Sequence, residues 1–120
     1  MKEYEIKFTD DGFSIVPLLK RRLPTRSLTW PEIVNVRAFK RDIFAVDLIC
    51  LFLSRADYTG LEVDENMQGW EVFGKSLPNY LPGCKTPEQW WSIVAYPAFV
   101  ANTTEIFSRQ VATPTKGGTP

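Results

Sequence analysis

The sequence contains no histidine, and only two of its 120 residues are cysteine. Without an imidazole no ordinary base is at hand to activate a serine or a thiol, so nucleophilic catalysis of the triad kind has no support. A structural zinc site takes about four Cys or His ligands, and Cys50 and Cys84 stand far apart in the chain. Neither a metal nor a cofactor is therefore expected. Net charge is missing too: fourteen Lys and Arg balance fourteen Asp and Glu, whereas a general nucleic-acid binder carries a basic excess. No apolar run approaches the ~18 residues of a membrane span, and MKEYEIKFTDD turns acidic where a secretory leader would turn apolar. A cytoplasmic protein that meets neither membrane nor nucleic acid is the expectation. Phosphate-cradling glycine loops, a dinucleotide fingerprint and a Gly-x-Ser-x-Gly elbow are all absent from the sequence.

What the chain does have is a run from Ile43 to Leu53, IFAVDLICLFL, in which ten of eleven residues are apolar. Its β-branched and aromatic content predicts the central strand of a sheet, apolar on both faces and in need of cover on both. Asp47 is the exception within it. A carboxylate among leucine and valine needs a partner, and Arg37 in the preceding strand is the predicted one.

Around that run the periodicity of the sequence changes. EYEIKF from Glu3 to Phe8 alternates as a half-buried strand, Asp10-Asp11-Gly12 is a turn, and Phe13 to Leu19 is predicted to complete a hairpin, with Pro17 at an edge or bulge. A further strand begins at Ser27. Trp30-Pro31-Glu32-Ile33 then forms a corner that pins the indole beneath it. Ile33 to Lys40 alternates again, Lys40-Arg41-Asp42 turns into the central strand, and Leu61 to Asp64 is short and β-like. From Met67 the apolar spacing becomes helical: Trp70, Phe73, Leu77 and Tyr80 to Leu81 recur at that spacing, Asn66 is placed to cap the helix, and Pro78 should end or kink it near Ser76. Trp70 and Phe73 are predicted to pack on the Ile43 or Phe44 side of the central strand. Thr86-Pro87-Glu88-Gln89 opens a second helix through a capping box, Tyr96-Pro97 stops it, and Thr103 to Ser108 reads as a last strand.

Together these elements predict one α+β domain over residues 1–109 with a flexible tail over 110–120. Its antiparallel sheet would have five or six strands, with two short helices on one face. The second face must then be closed by curling of the sheet or by a second copy of the chain.

Charge is unevenly distributed, at +4 over residues 1–41, −6 over 42–71 and +2 beyond. The basic stretch Lys20, Arg21, Arg22 and Arg26 could hold an anion. Asp57, Glu62, Asp64 and Glu65 form the acidic face with which an immunity-type binder would meet a basic protein partner. Trp70 and Tyr96, with Asp47 and Arg37, mark a predicted ligand pocket between helices and sheet. Trp70, Trp90 and Trp91 could stack a planar ligand there, although helical spacing favours core positions.

Two stretches carry a resemblance. Leu28-Thr29-Trp30-Pro31-Glu32-Ile33, followed by two strands, resembles the Trp-x-x-Ile strand lead-in of small bacterial proteins with a pleckstrin-homology-like sheet. The run from Gly69-Trp70 to Leu81-Pro82-Gly83, with Trp90 to Val94, Pro97-Ala98-Phe99 and Asn102 to Arg109, is similar to the C-terminal half of uncharacterised small bacterial proteins. The resemblance implies a curled sheet and brings no assigned activity with it. True pleckstrin-homology domains end in one long helix after seven strands, and here two proline-interrupted helices are expected instead. Function is therefore expected to be non-catalytic and based on protein interaction, as a homodimer or an immunity-type binder, with a small ligand-binder or enzyme as the alternative.

Overall fold

The computed structural model describes residues 2–19, 23–44, 46–97 and 102–110. Among these, strands β1 (Tyr4–Phe8), β2 (Gly12–Pro17) and β3 (Arg26–Thr29) precede a 3-10 turn at Trp30–Glu32. Strands β4 (Asn35–Ile43), β5 (Val46–Ser54) and β6 (Gly60–Asp64) follow, then helices α1 (Trp70–Tyr80) and α2 (Pro87–Ala95), and finally β7 (Thr103–Ser108). The strands form two antiparallel sheets, ordered β1-β2-β3 and β6-β5-β4-β7. One sheet of five or six strands was the expectation, and the corner at Trp30 is why it divides. Pro31 turns the chain while Glu32 ties the turn to Thr29, accepting its N–H at 2.8 Å and its hydroxyl at 2.7 Å. Strand β4 thereby leaves the first sheet.

The hairpin prediction for β1 and β2 holds, with Phe8 opposite Phe13 across the Asp10-Asp11-Gly12 turn. Pro17 sits at the end of β2, beyond Ile15, the last β2 residue that β3 reaches. The long apolar run is not one strand. It is cut after Ile43, which pairs with Val46 as the chain reverses. Phe44 takes a left-handed φ of 60° there and is fully exposed. Nothing marked this turn in sequence, because tight hairpin turns ordinarily carry Gly, Asn or Asp.

A single core lies between the two sheets and the helices. It joins Ile6, Phe13, Ile15 and Leu28 of the first sheet to Val36, Ile49, Leu51, Leu53 and Val63 of the second, with Phe73, Leu77, Trp90 and Val94 from the helices. Trp30 is pinned as expected: its indole donates to the Thr9 carbonyl at 2.8 Å and stacks on Tyr80 with ring centres 4.6 Å apart. Phe73 packs against Phe8, Phe13 and Trp30. That corrects its predicted place beside Ile43 or Phe44, since the hairpin carries Phe44 out of the core.

Helix α1 starts after Gly69, not at Asn66, and it runs through Pro78 to Tyr80. Pro78 falls in the last turn, where its missing N–H costs a single bond, and buried Leu77 and Leu81 on either side hold that turn in place. Gly69 takes a φ of 90°, and a Cβ there would meet the Ile6 carbonyl at 2.8 Å, so glycine alone lets β1 approach the start of the helix. In α2, Thr86 donates its N–H to Gln89 at 2.8 Å, the contact expected of the capping box, and the helix stops before Tyr96. No described helix is long and apolar enough to cross a membrane.

Candidate functional sites

The register of the four-stranded sheet sorts its side chains onto two faces. Val36, Ala38, Lys40, Ile49, Leu51, Leu53 and Val63 point into the core, while Arg37, Phe39, Arg41, Leu48, Cys50, Phe52, Glu62 and Asp64 share the other face. Phe39, Leu48 and Phe52 are half-buried and stand outside the core. Column by column, the outer face is apolar on β5, basic on β4 through Arg37 and Arg41, and acidic on β6 through Glu62 and Asp64. Glu105 of β7 lies opposite Arg37 on the same face.

Over the middle of β5, Arg41 donates to Glu62 at 2.6 Å. Glu62, and after it the Cys50 thiol, raise the Arg41 guanidinium further above its ordinary value. Cys50 lies buried between these groups, and burial first, then the Glu62 charge, push its thiol up to about 12. Cys84 is also pushed up to about 12, by burial alone. Both thiols stay protonated at neutral pH and are poor nucleophiles.

Asp47 does not pair with Arg37. It lies 3.5 Å from Lys40 Nζ, and the same ammonium donates to the Ala95 carbonyl at 3.1 Å and the Pro97 carbonyl at 2.6 Å. The pleat explains the correction: Lys40 and Asp47 turn to the core face, and Arg37 turns to the other. A buried lysine thus clamps the end of α2 to β4. Nothing local signals this, because a lysine in an alternating strand reads as a solvent-facing residue.

The second feature is a cleft of about 770 Å³ beside α1 and α2, lined by Trp70, Trp90 and Trp91. Trp70 lines it, whereas Arg37 and Asp47, also predicted to mark the pocket, do not. Tyr96 does not line it and is largely exposed, edge-on to Trp91 with ring centres 5.7 Å apart. Trp91, expected in the core, is 42 % exposed, while its neighbour Trp90 is 2 % exposed. Adjacent helical residues point about 100° apart, so only one of the two can face inward.

The predicted acidic face is largely committed within the molecule. Asp57 accepts from the Thr59 hydroxyl at 2.6 Å and its N–H at 3.0 Å, and these bonds lower its pKa. Asp64 accepts from the Asn66 N–H at 2.9 Å, and Glu65 from the Ile49 N–H at 3.0 Å. Arg26 is exposed on β3 opposite Ile15, and the rest of the predicted anion loop, Lys20, Arg21 and Arg22, lies outside the described residues. No group of three or more His, Cys, Asp or Glu side chains suited to a metal ion occurs among the described residues. Compared with known proteins, the chain matches no family model, no curated protein and no solved structure.

Proposed function

We propose that this chain is a non-catalytic protein-interaction module that self-associates through the outer face of its four-stranded sheet. The observation that carries this reading is the order of columns on that face. An apolar column on β5 runs between a basic column on β4 and an acidic one on β6. A two-fold axis lying along β5 sets apolar column against apolar column and brings Arg37 and Arg41 of one copy over Glu62 and Asp64 of the other. Such an interface is isologous and closes after two copies. Burial of Leu48 and Phe52 supplies its favourable energy, and the charged columns fix its register.

The pleckstrin-homology-like reading belongs to the same proposal. The seven antiparallel strands among the described residues, in two sheets around a common core, support it. Both helices lie before β7, where the pattern would place one helix after the last strand.

Sedimentation equilibrium at micromolar concentration tests the proposal. Native protein is expected at twice the mass of one chain, and Phe52→Glu at the mass of one with its fold retained. A native mass of one chain that persists at high loading overturns self-association. Capture of a basic host protein by that monomer, lost when Glu62 and Asp64 become Gln and Asn, would assign the face to a foreign partner of the immunity type.

A further inference from the structure

We infer that Phe44 and Tyr58 are the end anchors of the self-association face, each ring packing on its counterpart in the second copy, an inference that rests on the self-association proposed for that face. Among the described residues only these two, glycine aside, take a left-handed backbone, with φ of 60° and 71°. Bulky side chains are rare there, and turns that need this conformation ordinarily carry Gly, Asn or Asp. Both positions nevertheless hold an aromatic residue, and neither ring is used by its own chain. Phe44 is fully exposed, Tyr58 is 88 % exposed, and neither side chain makes a ring contact or hydrogen bond among the described residues. Other groups hold the turn at Tyr58: Arg55 donates its N–H to the Thr59 carbonyl at 2.7 Å, and Asp57 accepts from Thr59. One exposed ring is ordinary on a protein surface. Two on disfavoured backbone mark places where strain is kept for what the side chain does.

Placement identifies what covers them. Phe44 stands where β4 passes into β5 and Tyr58 where β5 passes into β6, so they bracket the apolar column at its two ends. Strand β5 has nine residues, which at ~3.4 Å each sets the two turns about 30 Å apart. No small ligand spans that distance, but a surface as long as the strand does. Val46 alternates in step with Leu48 and Phe52, carries the column on to the Phe44 end and is 57 % exposed. A two-fold axis along β5 maps each end of the strand onto the same end of the partner, so Phe44 meets the partner's Phe44 and Tyr58 meets the partner's Tyr58. Aromatic rings pair favourably with their own kind, offset or edge to face, so no second type of site is needed. With Arg41 and Arg55 already paired to Glu62 and Glu32, exposed Asp42 and Asp57 leave neither turn basic, and an anionic lipid surface is not favoured as the cover.

Sedimentation equilibrium and thermal melting of Phe44→Asn and Tyr58→Asn in the full chain test the inference. Asparagine accepts a left-handed backbone, so each variant removes a ring without straining its turn. Melted at a concentration too low for association, both should unfold no lower than native protein. Each should still raise the dissociation constant of the dimer by about tenfold or more, and the double variant should raise it further. Phe44→Tyr and Tyr58→Phe keep a ring and should associate as native protein does. With copper phenanthroline as oxidant, Phe44→Cys should cross-link to itself at high loading. A dimer of native strength from both Asn variants overturns the anchors, while its loss through Phe52→Glu would leave the sheet face standing. A native mass of one chain at high loading removes the interface and the anchors with it. Asn variants that melt well below native protein when dissociated would assign the rings to the fold of the single chain, against the inference. A cross-link formed only between Phe44→Cys and Tyr58→Cys would turn the axis across β5 and end the pairing of like rings.

Discussion

At the scale of single residues, Glu32 does more than its exposed position suggests. The Thr29 N–H above all, then Arg55 at 2.9 Å and the Thr29 hydroxyl, hold its carboxyl down at about 2 against an ordinary 4.5. A carboxyl with a lower pKa folded than unfolded stabilises the fold above its unfolded value, and that contribution is lost as pH falls through the folded value. The window runs from 4.5 down to about 2. Native protein should therefore lose stability across it, and Glu32→Gln should lose less. Urea midpoints at about pH 5 and about pH 2.5 read the difference, and equal losses would remove the charge from the corner's stability. The thiols give a second residue-scale prediction. With both pushed to about 12, neither Cys50 nor Cys84 should react with Ellman's reagent in native protein at about pH 8, and both should react in urea. Lys40 gives a third: Lys40→Met leaves Asp47 without its ammonium and strips the Ala95 and Pro97 carbonyls of their donor, at a cost of roughly 3 to 5 kcal/mol by chemical denaturation.

At the scale of elements, α1 shows how burial overrides local preference. Its periodicity was readable at Phe73, Leu77 and Leu81, and all three are fully buried. Its ends were not readable, because Gly69 depends on the approach of β1 and Pro78 is tolerated through the packing of its neighbours. Truncation should separate core from cleft along this helix. Phe73→Ala should cost about 3 to 5 kcal/mol. Trp70→Ala, at a half-buried position, should cost well under that, and equal losses in thermal melts would put Trp70 in the core. Gly69→Ala meets both a disfavoured φ and the Ile6 carbonyl, so it should destabilise by about 1 to 3 kcal/mol. The β4–β5 hairpin shows the opposite failure of local reading. A continuous apolar run argues for one long strand, yet the chain reverses at Phe44 because pairing Ile43 with Val46 lets Ile49, Leu51 and Leu53 meet Lys40, Ala38 and Val36 across the ladder.

For the whole molecule, the open question in the sequence was what covers the second face of the apolar strand. The structure covers one face with the first sheet and the helices and leaves the other bearing Phe39, Leu48 and Phe52 among ordered charges. If those charges set the register of a dimer, association should weaken as salt rises, since the Debye length shrinks from about 10 Å at 0.1 M to about 3 Å at 1 M. Sedimentation at low and high salt checks this. Tightening with salt would mean that apolar burial alone holds the copies together.

Most strands, the capping box of α2, the corner at Trp30 and the helical face of α1 follow from spacing, turn chemistry and proline geometry. These are local properties, acting over a few residues, and the sequence alone determined them. Division into two sheets, the reversal at Phe44, the Lys40–Asp47 pair and the split fate of Trp90 and Trp91 were decided only in three dimensions. Each depends on which residues lie opposite one another across a ladder or beneath a helix. Strand register fixes that choice, and a slip of one residue would exchange the two faces.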